Sequence, residues 1–330
     1  MSNEITSPSV LMEMIMGFRI SRIILTGFEL GIFTELGQAD KTSGEVAGNL
    51  SLNPRTTDRL MNALVAVGLL KKKNAQFSNT DFSSKFLVKN SASYMGGLFH
   101  SVNTWSTWNT LTEAVRAGTT VSIDPNMGNR GDAWLEPFIA AMHQRAVPQS
   151  VEVANVLDLS NVKNILDIGG GSGAFSFEFL KRAKDATAVI FDLPSVVPIT
   201  KKYIDRSGLS GSVRTLAGDY LLDGFGKGFD LVYISAVIHI NSPSENLDLL
   251  KKSAAALNPG GQVVIMDHIM NEDRTEPNAG AIFAINMVAG TKHGDVYTEN
   301  EIRSWMLEAG LKNIKRINTE NESSLMIGYK

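Results

Sequence analysis

Asp167-Ile168-Gly169-Gly170-Gly171-Ser172-Gly173 ends a short apolar run that begins at Val162, and a helical stretch opens beyond it at about Ala174. A strand that turns through glycines into a helix belongs to an open parallel sheet, whose ligands sit outside the carboxyl ends of the strands. Glycine suits that turn because side chains would collide with a ligand brought against the backbone. The helix start offers free N–H groups and a partial positive charge to an anion. Outward from this turn the pattern repeats. Apolar runs at Ala188–Phe191, Val213–Leu216, Leu231–Ser235 and Val263–Met266 alternate with helical stretches, which predicts a parallel sheet covered on both faces. Two later runs, Ile314–Ile317 and Leu325–Tyr329, flank a short turn and predict an antiparallel hairpin closing the sheet. The expected fold class is α/β, a doubly wound Rossmann-like sheet.

Upstream of Asn161 the periodicity is helical. From Leu11 to Leu36 apolar residues recur three and four apart, and Met12, Met14, Ile15 and Met16 make the start apolar nearly all round. Such a helix is covered either by its own core or by a partner subunit. Thr42-Ser43-Gly44-Glu45 is a capping-box pattern opening a short helix to Leu50. Asn53-Pro54 reads as an N-cap followed by proline at the first helical position, with Gly68 as the stop. Two short strands follow, from Leu69-Leu70 through Lys71-Lys72-Lys73 to Phe77. Helix, helix, hairpin is the order of a winged helix. A DNA-reading second helix needs cations, yet Pro54 to Leu64 offers only Arg55 and Arg59 against Asp58. The lysines are read instead as a solvated hairpin edge that discourages strand pairing. Helices are expected over Trp105–Ala117 and Ala133–Leu159, with a loop over Gly118–Gly131. The expected organisation is a helical, winged-helix domain over 1–100, a helical linker over 101–160 and the sheet domain over 161–330.

The 330 residues are 43% hydrophobic and 20% charged, the composition of a globular chain long enough for two cores. A formal charge of -3 provides no global field to recruit nucleic acid or an anionic membrane. The absence of cysteine excludes disulfides, thiol catalysis and thiolate metal sites. No stretch approaches the roughly 18 apolar residues of a membrane span. The N-terminus lacks the basic start and apolar core of a signal peptide, so a cytoplasmic location is expected. His100, His143, His268 and His293 show no metal-ligand spacing, and no metal is expected.

The glycine turn alone is ambiguous. Gly169, Gly171 and Ala174 satisfy a dinucleotide-type spacing, with Asp192 at a suitable distance. Three features favour S-adenosylmethionine over NAD. Asp167 would place a negative charge beside a pyrophosphate. Gly218-Asp219-Tyr220 ends the third strand with a polar and aromatic pair suited to adenine. The nucleotide-type unit also follows a helical domain and ends in the closing hairpin.

These segments resemble the class I S-adenosylmethionine-dependent methyltransferases, and more narrowly the small-molecule O-methyltransferases of plant caffeic acid, mammalian acetylserotonin and bacterial natural-product type. The resemblance is carried by the glycine turn together with Phe191-Asp192-Leu193-Pro194, Gly218-Asp219, Asn258-Pro259-Gly260-Gly261, Tyr297-Thr298-Glu299-Asn300-Glu301 and Phe28-Glu29-Leu30-Gly31-Ile32-Phe33. It implies a homodimer formed through the N-terminal domain, a small acceptor and no nucleic acid or membrane partner.

The resemblance also implies residue roles. Backbone groups around Gly169 and Gly171 hold the methionine end of the cofactor, with Asp167 beneath. Asp192 accepts from both ribose hydroxyls, Asp219 from the adenine amino group, and Tyr220 packs on the ring. Ser235 stands at a further cofactor-contact position. His239, in Ala236-Val237-Ile238-His239-Ile240-Asn241, is the implied general base for a hydroxyl whose pKa, if phenolic, is about 10. Asp267 is its orienting partner. Met142, Arg145, Asn286 and Met287 match acceptor positions. Arg145 replaces a polar family residue, and suits either an anionic acceptor or a structural carboxylate. Two departures concern the base: Ile240-Asn241 stand where the family carries Asp-Trp, and Val296 occupies the position of a second acid, with Asp295 beside it. They keep a carbon- or nitrogen-directed methyltransferase in view. A winged-helix regulator and a dinucleotide oxidoreductase are the more distant alternatives.

Overall fold

The computed structural model describes residues 4–121, 131–320 and 323–330. The loop expected over Gly118–Gly131 lies largely outside them. The chain forms two compact units, Met1–Val102 and Asn103–Lys330, and the helical stretch over 101–160 lies almost wholly in the second.

In the first unit the apolar pattern from Leu11 to Leu36 resolves into three helices, α1 (Pro8–Met16), α2 (Phe18–Glu29) and α3 (Ile32–Leu36). Gly31, at φ +78°, makes the break that lets α3 restart. Helix α4 (Ser43–Asn49) carries the reciprocal capping box expected from its sequence, Thr42 N donating to Glu45 Oε2 at 2.7 Å and Glu45 N to Thr42 Oγ1 at 3.2 Å. Helix α5 (Pro54–Ala66) starts on the Asn53 cap. Strand β1 (Lys41–Thr42) pairs with β3 (Gln76–Asn79), which pairs in turn with β2 (Leu70–Lys73), giving the order β1-β3-β2. Phe33, Leu36, Met61, Leu64 and Phe77 fill the core beneath this small sheet. Helix α6 (Asp81–Phe86) follows the hairpin. Lys71 and Lys72 bond Asp81 and Asn62, consistent with a solvated hairpin edge. Helix α1 has no buried residue and exposes Leu11, Met12, Met14 and Ile15.

The unit boundary falls within α7 (Leu98–Trp108), and α8 (Leu111–Ala117) follows. The helix expected over Trp105–Ala117 is thus two, and at the break Thr110 N and Oγ1 both donate to Thr107 O, at 3.1 and 2.8 Å. Helix α9 (Asp132–Val156) leads to the sheet. Its strands are β4 (Asn164–Ile168), β5 (Thr187–Asp192), β6 (Val213–Ala217), β7 (Phe229–Ser235), β8 (Leu257–Asp267), β9 (Lys312–Asn318) and β10 (Ser324–Tyr329), in the order β6-β5-β4-β7-β8-β10-β9. The first five are parallel; β10 runs antiparallel to β8 and β9, the closing hairpin. Strand β8 is longer than its apolar run because Gly260 and Gly261 pair with Lys330 at the chain end.

Alternation along the strands divides the core. Leu166, Ile168, Val232, Ile234, Val263 and Ile265 face one side, with α12 (Pro243–Ala256) and α14 (Glu299–Glu308). Ile165, Leu231, Tyr233, Val264 and Met266 face the other, under α9 and α10 (Ala174–Arg182). Each fully buried aliphatic or Phe side chain contributes about 1.5–3 kcal/mol. Helix α11 (Val197–Ser207) joins β5 to β6, and α13 (Asn278–Gly290) packs on α8. Strand β4 has β5 on one side and β7 on the other, so the strand order reverses at the glycine turn. No described helix is long and apolar enough to cross a membrane.

Candidate active site

The second unit holds a cavity of about 450 Å³ over the carboxyl ends of β4, β5, β6, β7 and β8. Its floor is the turn after β4. Gly169, Gly171 and Gly173 all have positive φ, at +66°, +55° and +81°. Space is as restrictive as conformation: a Cβ on Gly173 would lie 2.5 Å from Ile190 Cδ1, and one on Gly169 2.7 Å from Val237 Cγ2. Asp167 is buried under the turn, where Ser176 Oγ donates to Oδ2 at 2.7 Å. Burial pushes its carboxyl up to about 7. Asp192, at the end of β5, accepts from Gly171 N and Leu193 N, both at 2.8 Å. Burial pushes it up to about 6, and the two amide donors oppose that rise. Thr200 donates to Gly171 O at 2.6 Å and tethers the turn from α11.

One wall is formed after β6. Asp219 accepts from Leu221 N at 2.9 Å, and Tyr220 donates its hydroxyl to Asn241 Oδ1 at 2.9 Å. Burial raises the Tyr220 hydroxyl above the ordinary tyrosine range. Asn241 in turn donates to Asn246, which donates to Ile238 O, and Tyr297 donates to Asn241 O. The residue standing at the family's tryptophan position therefore anchors the turn that carries His239.

That turn, a single 3₁₀ turn over Ile238–Ile240, follows β7. Neighbouring β8 ends in Asp267, and the parallel register sets Ser235 opposite Met266. His239 Nδ1 lies 2.9 Å from both carboxylate oxygens of Asp267, which also accepts from His268 N at 2.8 Å. The Asp267 side chain is 2% exposed. An acceptor-only carboxylate at Nδ1 requires the proton there, which leaves the Nε2 lone pair available; it has no partner among the described residues. Phe283 stands edge-on to the His239 ring at 4.8 Å. The Asp295 carboxylate bonds Arg274 at 3.0 Å and accepts from Val296 N, and its backbone N–H donates to the His239 carbonyl oxygen. Among the described residues no three His, Asp or Glu side chains gather as a metal-binding group.

Of the residues singled out from sequence, Asp167, Gly169, Gly171, Asp192, Asp219, Tyr220, Ser235, His239, Asp267, Met142 and Arg145 line this one cavity. Asn286 and Met287 do not. Asn286 accepts from Trp108 Nε1 at 2.8 Å, and Met287 is buried on α13. Phe283, one turn earlier, takes the cavity-lining place, and Phe138, Gln149 and His268 join it. Helix α13 is apolar on nearly every side, so its sequence carries no signal of which face meets the cavity.

A glycine turn at the switch point, a carboxylate ending the second strand and an antiparallel strand pair at one edge define a Rossmann-like methyltransferase domain behind a helical one. Comparison with known proteins agrees. Residues 126–312 match the O-methyltransferase domain and residues 12–89 the O-methyltransferase dimerisation domain. The 3-hydroxy-5-methyl-1-naphthoate 3-O-methyltransferase of Streptomyces sahachiroi is 29% identical over 316 residues, covering 94% of this chain and 91% of that protein. An O-methyltransferase family protein from Burkholderia thailandensis, 26% identical, matches with a TM-score of 0.88 over 99% of both chains. The structure of PigF with SAH has the same fold, with a TM-score of 0.89 at 21% identity over 98% of this chain and 100% of that one. The chain belongs to the S-adenosylmethionine-dependent O-methyltransferase family. That membership sets aside the regulator and oxidoreductase alternatives and makes oxygen, rather than carbon or nitrogen, the family's methyl acceptor.

Proposed function

We propose that this enzyme methylates a hydroxyl of a small, largely aromatic acceptor, with His239 as general base and Asp267 as the group that holds it. The observation that carries this reading is the His239–Asp267 pair on the cavity wall, with Nε2 left without a partner among the described residues. The residues present fit S-adenosylmethionine. The floor is a turn held to glycine at Gly169 and Gly173 by the side chains packed against it, which leaves its backbone bare; the Asp192 carboxylate stands at the end of β5, and Asp219 and Tyr220 form a polar and aromatic wall for adenine. When bound, that cofactor supplies a methyl group on a sulfonium that is already electrophilic.

The remaining work falls to the chain. Phe283 stands against His239, and Phe138 and Met142 add apolar surface to the same cavity, which suits an aromatic ring. Nε2 takes the hydroxyl proton, and the buried carboxylate of Asp267 compensates the imidazolium that forms. The acceptor named for the Streptomyces sahachiroi relative, a hydroxynaphthoate, supports an aromatic substrate. The exposed apolar surface of α1, whose second half begins the match to the dimerisation domain, supports a homodimer.

Thermal unfolding with S-adenosylhomocysteine (SAH), S-adenosylmethionine and NAD tests the cofactor. A ligand at 100 times its Kd adds about 2.7 kcal/mol of stability. Stabilisation by the adenosyl compounds alone is expected; no shift at millimolar levels refutes the site. For the base, His239→Ala is expected to lower turnover about 10²–10⁴-fold while SAH affinity stays nearly intact. Unchanged turnover would remove His239 from the mechanism.

A further inference from the structure

The charges lining the cavity are not evenly matched. Each of its carboxylates has a donor from the chain itself: Ser176 serves Asp167, Gly171 and Leu193 serve Asp192, and Leu221, Ser242 and His239 serve Asp219, Glu245 and Asp267. The cations differ. Arg145 and Lys292 line the same cavity and, among the described residues, have no carboxylate partner. Among the described residues Arg145 makes one hydrogen bond, from its NH2 to His268 Nε2 at 3.1 Å. A guanidinium carries five N–H donors in a planar fork matched to a carboxylate, so Arg145, exposed and at the cavity lining, keeps donors available to a ligand there.

Its position says which ligand group it meets. The His239 ring lies 4.8 Å from Phe283, Phe283 lies 5.0 Å from His268, and His268 holds Arg145. The guanidinium is therefore linked to the base through one aromatic ring and one imidazole. Asp267 and His268 are consecutive at the end of β8, so one peptide unit positions both the base and the cation.

We propose that the acceptor is an aromatic hydroxy acid, whose hydroxyl meets His239 while its carboxylate pairs with Arg145. The proposal rests on the methyl-transfer reading above and narrows its substrate. The amino-acid end of the methyl donor also carries a carboxylate, and the test separates the two sources.

The probes are hydroxynaphthoic and hydroxybenzoic acids, each compared with its carboxamide by calorimetry on the SAH-loaded enzyme. The wild-type chain is expected to bind at least one acid about 10–100-fold more tightly than its amide, the span of a charge-assisted hydrogen-bonded pair. Arg145→Gln is expected to bring that ratio close to one and to leave SAH affinity within about twofold, while Arg145→Lys restores part of the preference. Two results overturn the proposal. If Arg145→Gln weakens SAH about tenfold or more and leaves the acid-to-amide ratio unmoved, the carboxylate in question is the donor's. If no acid outbinds its amide on the wild-type enzyme, including the case where none binds, the acceptor is not an acid of this class. Failure of the parent reading looks different: SAH itself does not bind, or His239→Ala leaves turnover unchanged.

Discussion

Replacing Asp267 by asparagine keeps the shape of the side chain and removes its charge. The carboxylate accepts from His239 Nδ1 and from His268 N, and its side chain is 2% exposed, so no solvent substitutes for the lost charge. Hydrogen bonds to charged groups contribute about 1.5–3 kcal/mol. If only that support of the imidazolium disappears, turnover falls about 10–150-fold, at 1.36 kcal/mol per factor of ten. Asparagine can also turn its NH2 toward Nδ1. The imidazole then carries its proton on Nε2, the nitrogen that must accept from the substrate, and the loss deepens beyond that range. Cofactor sites lie on other strands, so SAH affinity should stay within about twofold. The assay is single-turnover transfer of labelled methyl to a hydroxynaphthoic acceptor, beside calorimetric SAH binding. Turnover equal to wild type, with SAH binding intact, would show that Asp267 serves the fold and not the base.

Asp192→Ala should weaken SAH binding about tenfold or more by removing the carboxylate assigned to the ribose, and unchanged calorimetric affinity would refute that role. The carboxyls of Asp167 and Asp192 are pushed up to about 7 and 6, mainly by burial. Each therefore favours the folded chain while protonated; that contribution is complete below their unfolded values and is lost as pH rises through about 6 to 7. Asp167→Asn, which still accepts from Ser176, should accordingly raise the ligand-free melting temperature at pH 8 relative to wild type, and less so at pH 5. An equal effect at both pH values would contradict the buried-acid account. Ile15→Glu and Phe18→Glu place charge on the exposed apolar surface of α1 and α2, and should shift the chain from dimer to monomer in sedimentation equilibrium. A dimer of undiminished affinity would locate the interface elsewhere.

Much of this protein is local, and local features were legible in one dimension. The Thr42–Glu45 capping box, the Asn53-Pro54 start and the glycine turn depend on residues within a few positions of one another, and the structure carries them as expected. Strand alternation and the run from Asp167 to Gly173 were enough for the sheet, the switch point and the carboxylates at strand ends. Parallel strands bring their carboxyl ends to one edge, so Asp192, Asp219, His239 and Asp267 had to converge once the sheet was recognised. The helices that cover that edge are another matter. Which side chains of α9 and α13 face the cavity depends on how each helix crosses the sheet, and α13 is too uniformly apolar for periodicity to tell. Asn286 therefore turned out to serve Trp108, and Phe283 to stand between two imidazoles. Asp295 went to Arg274 because the backbone, not the carboxylate, faces His239. Arg145 met His268 across 123 positions of sequence, a contact that no local pattern encodes. Residue types and strand ends determined that a methyltransferase site exists; only packing between distant helices and strands decided which side chains line its cavity.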